Sequence, residues 1–380
     1  MRVQITSVEL RTLSDALEVV HDPRMERTKK HLILDTLVIA VLATIADCDG
    51  WDDIVDWAGE QLEWLSTFLC LANGIPSADT VRRVFEALDR RVFGEALVLW
   101  VRSISPMTAK GTVAIDGKTM RGSGSRASGL NALHMVHAWS VEGRLLLGQA
   151  PVDAKSNEIV AVPELLATLD LRGKTVTGDA MNTQRLIAAQ IIDQKGDYAL
   201  AVRGNQPSLE EAIVMVFTPL VAKATLPRKV QRYTERDDGH GRCVERTVWI
   251  APISLIASDI AGQWMGAKTI VYVRSRRIER DKSSEEWRPY ISSRSDLSAE
   301  GFCRLIRSHW SVENQLHWQL DVSFHEDASR IHDHNAASNL SLVRAIALSL
   351  LKRESSYKRG VDAKRRRARN PAYLVKVLAA

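Results

Sequence analysis

Three acidic residues stand where acids could share a metal ion. Asp116 ends the apolar β-type run TVAID, Asp179 ends the run KTVTG, and Glu313 sits inside RSHWSVENQLHWQLDVSFHEDASR, a helical stretch dense in reactive groups. Both aspartates neighbour a glycine, which lets backbone or substrate come close at a strand end. Helical spacing puts Ile306, His309, Trp310, Leu316, His317 and Leu320 on the side of Glu313. A carboxylate on that largely apolar side needs a cation or a basic partner. Taken singly, each aspartate reads as an ordinary turn or cap residue and Glu313 as a surface acid. Taken together, on two strands and a later helix, they suit two divalent cations about 3.5–4 Å apart, which activate a water or a 3′-hydroxyl and stabilise the leaving oxygen of a phosphodiester. All-oxygen ligation favours Mg²⁺, with Mn²⁺ as substitute.

The elements that must position these acids follow a recognisable order. Residues 1–105 read as a helical domain: an apolar helix Ile33–Ala46, an amphipathic helix Trp51–Phe68 with Ile54, Trp57, Leu62 and Leu65 inward, the turn NGIPSAD, and a short helix Thr80–Leu88 exposing Arg82 and Arg83. Helix, tight turn and short helix resemble a helix-turn-helix, for which a plain helical bundle is the alternative. The period then changes to that of strands. TVAID, the hairpin LHMVHAWSV/RLLLGQAPV, a helix from Glu158, KTVTGDA, a helix from Thr183, DYALAVRGN and a helix from Ser208 give three antiparallel strands followed by helical crossovers to parallel ones. That is the order of an RNase H-like catalytic domain, here 106–221 and 296–353. Residues 222–295 read as a β-rich insertion with two strand pairs, basic along Arg274, Arg276, Arg277, Arg280 and Lys282. The fold class is therefore mixed α+β and α/β: an N-terminal helical domain plus an interrupted catalytic domain.

The chain has 380 residues and a net charge of +5. Residues 351–380 hold ten Lys or Arg against two acids. The segment 354–380 thus reads as a basic tail suited to a polyanion, with Lys364, Arg365, Arg366 and Arg367 at its centre, or else as a solvated terminus. Four cysteines without a CxxC pair, no leader pattern at the start and no apolar run long enough for a bilayer point to a cytoplasmic protein with no membrane partner. Five of the ten histidines fall between 309 and 334, but without an HExxH they do not make a zinc hydrolase.

The motifs DPRMERTKKH, GIPSADTVRRVFEALD, AIDGKTMRGS, KSNEIVAVPELLATLDL, VTGDAMNTQ, DYALAVRGNQ, HGR and HWSVENQLHWQLDVSFHEDASR run in order over most of residues 17–350. With them the chain resembles bacterial insertion-sequence transposases of the Asp-Asp-Glu type, near the H-repeat-associated family. The resemblance implies that Asp116, Asp179 and Glu313 are the catalytic acids and ligands of two Mg²⁺ ions. It implies binding to the terminal inverted repeats of a DNA element and to target DNA, cleavage and strand transfer, and at least a homodimer on DNA. Related transposases often carry Tyr seven before, Arg four before and Lys seven after the glutamate. Here those positions are Ile306, His309 and Leu320, so their phosphate contacts do not carry over, and Arg304, Arg307 and Lys352 are the substitutes at hand. The expected DNA-contacting set is Arg82, Arg83, Lys118, Arg121, Arg304, Arg307, His309 and Lys364 to Arg367. A transposase-derived DNA-binding protein without catalysis, and an RNase H-like nuclease without strand transfer, are the competing readings.

Overall fold

The computed structural model describes residues 7–104, 110–152, 157–239, 242–279 and 282–380. Part of the HGR motif and the basic position Arg280 lie outside the described residues. Six helices come first: α1 (Val8–Leu17), α2 (Ile33–Ile45), α3 (Trp51–Glu60), α4 (Leu62–Leu65), α5 (Ala78–Ala87) and α6 (Arg90–Ile104). Then follow β1 (Gly111–Met120), β2 (Leu133–Ser140), β3 (Leu145–Val152), α7 (Glu158–Ala167), β4 (Lys174–Gly178), α8 (Arg185–Asp193), β5 (Asp197–Ala201) and α9 (Pro207–Phe217). The four strands β6 (Gln231–Gly239), β7 (Arg242–Pro252), β8 (Thr269–Glu279) and β9 (Lys282–Ser292) have the short α10 (Ser258–Ala261) between the pairs. The chain closes with α11 (Ala299–His309), α12 (Trp318–Ser323), α13 (His334–Arg353), α14 (Val361–Ala368) and α15 (Pro371–Leu378).

All nine strands form one mixed sheet in the order β3-β2-β1-β4-β5-β9-β8-β7-β6. β1 pairs antiparallel with β2 and parallel with β4, and β4 pairs parallel with β5. The expected hairpin at Glu142-Gly143 and the two later strand pairs are present. The segment 222–295, however, is not a separate layer. β9 pairs antiparallel with β5 through Ala199↔Ser292 to Ala201↔Tyr290, so the second half of the sheet continues the first. β5 would otherwise leave its backbone groups unpaired along one edge, and β9 satisfies them.

α13 is the spine. It is buried along almost its whole length, Ala336 to Leu351, because it lies between β3 on one side and α2, α5 and α6 on the other. It is thus enclosed rather than amphipathic, and its buried polar groups are used in packing: Asn339 Nδ2 donates to the Phe85 carbonyl, and Leu146 N–H donates to Ser349 Oγ. α2, apolar all round, is likewise wrapped by neighbours. Two local expectations shift. The helix expected over Trp51–Phe68 breaks at Gln61, which leaves Leu62 exposed while Ile54, Trp57 and Leu65 are buried. The segment 354–380 is not a solvated tail but the helix pair α14 and α15, packed on α13 and α1.

Candidate metal-dependent active site

The parallel register of β1 and β4 sets Ile115 beside Gly178, so Asp116 and Asp179 follow at the same level, where β4 ends. β1 itself does not end at Asp116 as expected but runs on to Met120, still paired with β2, because that hairpin is longer than the apolar run TVAID. Glu313 reaches that level from the third element. α11 ends at His309, and the chain resumes as a helix whose residues Glu313–His317 form a π-turn before α12. Trp318 N–H donates to the Glu313 carbonyl, the longer hydrogen-bonded ring of that turn. Such turns recur at functional sites. The break and the π-turn also change the facing. Leu316, His317 and Leu320 are buried, but Trp310 turns out to solvent, and the Glu313 side chain stands at the mouth of the site, 55% exposed, rather than inward.

Asp116, Asp179 and Glu313 line one cleft of about 380 Å³ with His309, Arg203 and Arg288. Ligand atoms of Asp116, Glu313 and His317 lie within 4.8 Å of one another. Burial pushes the Asp116 carboxyl up to about 6; the nearby His317 works against that rise, while Asp179 and Glu158 add to it. Asp179 is raised too, mainly by burial, although Asn182 donates to its Oδ1 from the backbone N–H at 3.1 Å and from Nδ2 at 2.9 Å. Glu313 goes the other way, because its hydrogen bond with His317 holds it below the usual carboxylate range. Buried, mutually repelling acids are a donor set that a hard divalent cation offsets, so these residues fit a metal of the Mg²⁺ class.

Glu158, at the start of α7, was not singled out from the sequence. It is buried, and its Oε1 pairs with His134 Nε2 at 2.8 Å while Asn182 Nδ2 donates to its Oε2 at 2.9 Å. Burial alone would raise its pKa, but these hydrogen bonds outweigh that and keep it ionised and fixed. The chain Asp179–Asn182–Glu158–His134 therefore braces the second aspartate. Gly117 makes it possible, since a Cβ there would fall on the Glu158 carboxylate and the His134 ring. The signals were the Asn of GDAMN and the Glu of KSNEIV, whose partnership only the strand order reveals.

Several expected DNA contacts are placed otherwise. Lys118 is buried, not free for phosphate: its Nζ lies 2.7 Å from Asp321, 3.0 Å from Glu326 and 3.3 Å from Asp327. Those acids outweigh the effect of burial and push its pKa up to about 12. His309 hydrogen-bonds Thr177 of β4 at 3.0 Å, and burial, with Arg288 nearby, lowers its pKa to about 4, so it lines the cleft as a neutral ring. Lys364 and Arg365 are buried. Lys364 donates to the Leu351 carbonyl, and Arg365 donates to the Ser323 and Thr44 carbonyls, pairs with Asp49 at 2.8 Å and stacks on Phe324. Neither offers charge to solvent. Lys352 sits near Arg144, and burial lowers it to about 8; it does not line the cleft.

Arg121, Arg366 and Arg367 are exposed, Arg121 beside Asp327 and Arg367 over the Tyr357 ring. Arg82 is held by Asp79 and Glu86 and Arg83 by Asp79, both on the outer face of α5. Arg304 pairs with Glu300, and Arg307 ties α11 to Glu235 and Asp237 of β6. The cleft's own cations are instead Arg203, after β5, and Arg288 on β9, which stacks over Trp310 at 5.4 Å.

The mixed sheet thus brings Asp116 of β1, Asp179 just after β4 and the helical Glu313 to one cleft. Comparison with known proteins gives the family. The family described as "Transposase DDE domain" matches residues 108–350, and "DDE_Tnp_1-associated" matches residues 14–101. The chain belongs to the DDE-type transposases of the H-repeat family. It is 39% identical to "Putative transposase YncI" of Escherichia coli O157:H7, over 98% of this chain and 95% of that protein. It is 37% identical to "H repeat-associated putative transposase YhhI" of Escherichia coli strain K12, over 98% and 99%. Among solved structures, a piggyBac transposase synaptic complex with hairpin DNA aligns with a TM-score of 0.45 at 11% identity, covering 98% of this chain and 78% of that one. No helix among the described residues is long and apolar enough to cross a membrane.

Proposed function

We propose that this transposase binds double-stranded DNA at the terminal inverted repeats of its element, cleaves it in a metal-dependent reaction and joins the freed 3′-hydroxyl to target DNA. The observation that carries the proposal is the meeting of Asp116, Asp179 and Glu313 at one cleft. The first five strands, in the order β3-β2-β1-β4-β5, support an RNase H-like catalytic core. Asp116, Asp179 and Glu313 would hold two Mg²⁺ ions, or Mn²⁺ in their place. When bound, these supply Lewis-acid activation of the attacking oxygen and neutralise charge on the leaving 3′-oxygen.

The chain's own residues divide the remaining work. Asn182, Glu158 and His134 hold Asp179 in one rotamer. Arg203 and Arg288 present cations to the phosphates on either side of the scissile bond, the role for which Arg is suited by its rigid fork of donors. Trp310, stacked on Arg288, forms part of one wall of the cleft. Arg82 and Arg83 on α5 contact the element ends, with Arg121, Arg304, Arg307, Arg366 and Arg367 adding backbone contacts. Two copies, each holding one end, form the working assembly.

The test is incubation of purified protein with terminal-repeat DNA and Mg²⁺. Nicking at the repeat ends, followed by joining of a pre-cleaved end to a plasmid, is expected; Mn²⁺ sustains both steps, and Ca²⁺ sustains assembly alone. Binding of the ends without cutting would mark a DNA-binding relative that has lost catalysis, and cutting without joining would mark a nuclease.

A further inference from the structure

We propose that His317 is a nitrogen ligand of the metal that Asp116 and Glu313 hold, and that His137 sets the tautomer in which it ligates. The inference rests on the metal-binding reading above and extends it from an all-carboxylate set to a mixed one.

Three observations carry it. First, His317 Nδ1 points at both carboxylates, 3.2 Å from Glu313 Oε2 and 3.6 Å from Asp116 Oδ2. The three ligand atoms lie within 4.8 Å of one another, a spread that a single ion at ordinary bond lengths of about 2.0–2.2 Å can span with small side-chain adjustments. Second, the ring is 3% exposed, so its position is set by packing and does not wait on solvent. The π-turn produces this: it places Glu313 and His317 on one face, while Leu316 and Leu320 anchor the turn in the core.

Third, the other ring nitrogen is already engaged. His317 Nε2 lies 3.2 Å from His137 Nδ1, with the two rings 5.1 Å apart. His137 comes from β2, directly across from Asp116 in the β1–β2 ladder, and is wholly buried. A metal-binding imidazole characteristically donates its second N–H to a fixed acceptor, which sets the tautomer and ring angle. Here His317 Nε2–H donates to His137 Nδ1, leaving the Nδ1 lone pair of His317 for the cation. The His137 proton then sits on Nε2, a buried atom with no hydrogen-bond partner among the described residues. The same contacts also fit the reversed tautomers for the metal-free site, with His317 Nδ1–H donating to Glu313 and His137 Nδ1–H donating to His317 Nε2. The two arrangements differ only in tautomer.

An imidazole in the donor set shifts preference from Mg²⁺ toward later first-row transition ions such as Co²⁺ and Zn²⁺; Mn²⁺ serves as the paramagnetic probe. Electron spin-echo measurements on the full-length protein loaded with Mn²⁺ alone give the decisive reading, because ¹⁴N coupling appears only if nitrogen is bonded to the ion. Wild type is expected to show it. The His317→Gln variant should lose the coupling and still bind Mn²⁺, while His137→Gln should keep the coupling and bind Mn²⁺ about tenfold more weakly. Bound Mn²⁺ without ¹⁴N coupling in wild type, or coupling that survives in His317→Gln, would overturn the ligand assignment and leave the carboxylate site standing. Failure of wild type to bind Mn²⁺ at all would overturn both. The wild-type measurement decides the matter even if a substitution at either buried histidine prevents folding.

Discussion

Asp116 and Glu313 differ in how they meet solvent, one in the cleft floor and the other at its mouth, yet both face the same point. Removing either should damage metal placement more than folding. Asp116→Asn and Glu313→Gln are each expected to lose several kcal/mol of transition-state charge stabilisation, which at ~1.4 kcal/mol per tenfold is a fall in cleavage of about a thousandfold or more. Binding to repeat DNA should persist, and a gel-shift run beside the cleavage assay separates the two effects. Asp193, exposed at the end of α8, is the proper control for charge removal. Glu326 is not: it is fully buried against Lys118, so its loss acts through stability. At Gly117 the added methyl of Gly117→Ala would press on Glu158 and His134. The expected result is weaker metal binding, read by titration with Mn²⁺, with the loss relieved when Glu158 is shortened to Asp in the same chain.

Between elements, the Lys118 cluster does what a DNA contact at that position could not. It lies on β1 two residues beyond Asp116 and reaches Asp321 on α12 and Glu326 and Asp327 in the turn that follows, so it fastens the Glu313-bearing segment to the Asp116-bearing strand. Breaking a buried ion pair by removing one partner typically costs about 3–5 kcal/mol. Lys118→Met should therefore lower the unfolding free energy read from urea titration by that order and reduce cleavage as α12 loosens, and Glu326→Gln added to it should restore part of the stability, since the two changes share one contact. The triad was legible in the sequence because each acid sits beside its own signal: an apolar run, a glycine, a helical period. The Lys118 cluster was not, because Lys118 lies more than two hundred positions from its three acids and each looks like a surface charge. The helix from Ala299 was legible as far as His309, but a period of 3.6 cannot announce a π-turn, which is why Trp310 was expected inward. The strand pairs of 222–295 were readable as hairpins, whereas their joining to β5 depends on an edge that exists only once the sheet has formed.

At the scale of the whole molecule, α14 and α15 close the structure over α13, and the charges of this segment divide into two kinds. Glu354, at the end of α13, accepts from Ser356 N–H at 2.5 Å and from the Tyr373 hydroxyl at 2.6 Å, and lies 3.6 Å from Lys364. Burial works to raise its pKa, but these partners outweigh it and hold it at about 2, against an ordinary 4.5. Since the folded value is the lower one, its contribution to stability is complete above about pH 4.5 and is lost as pH falls toward 2. Relative to Glu354→Gln, wild type should be favoured at neutral pH and should lose that advantage across this interval, as read from unfolding midpoints at a series of pH values.

Lys364 and Arg365 belong with Glu354 as structural charges, since both donate to backbone carbonyls inside the fold. Only Arg366 and Arg367 of the run face outward. Cutting the chain after Ser356 would therefore be a poor probe of DNA binding, for it strips Arg365 from Asp49 and Tyr373 from Glu354; that truncation is expected to lower the melting temperature sharply or prevent folding. The informative change is Arg366→Ala with Arg367→Ala, which removes outward charge and, at most, the stacking of Arg367 on Tyr357 and Tyr373, worth about 0.5–1 kcal/mol at an exposed site. Each phosphate contact contributes a slope of about 0.9 to the fall of log affinity with log salt. If both arginines touch backbone phosphate, the double variant should bind repeat and unrelated DNA with a salt slope shallower by up to about 1.8, and should melt within a few degrees of wild type. An unchanged slope in a protein with unchanged melting would show that Arg366 and Arg367 stay off DNA.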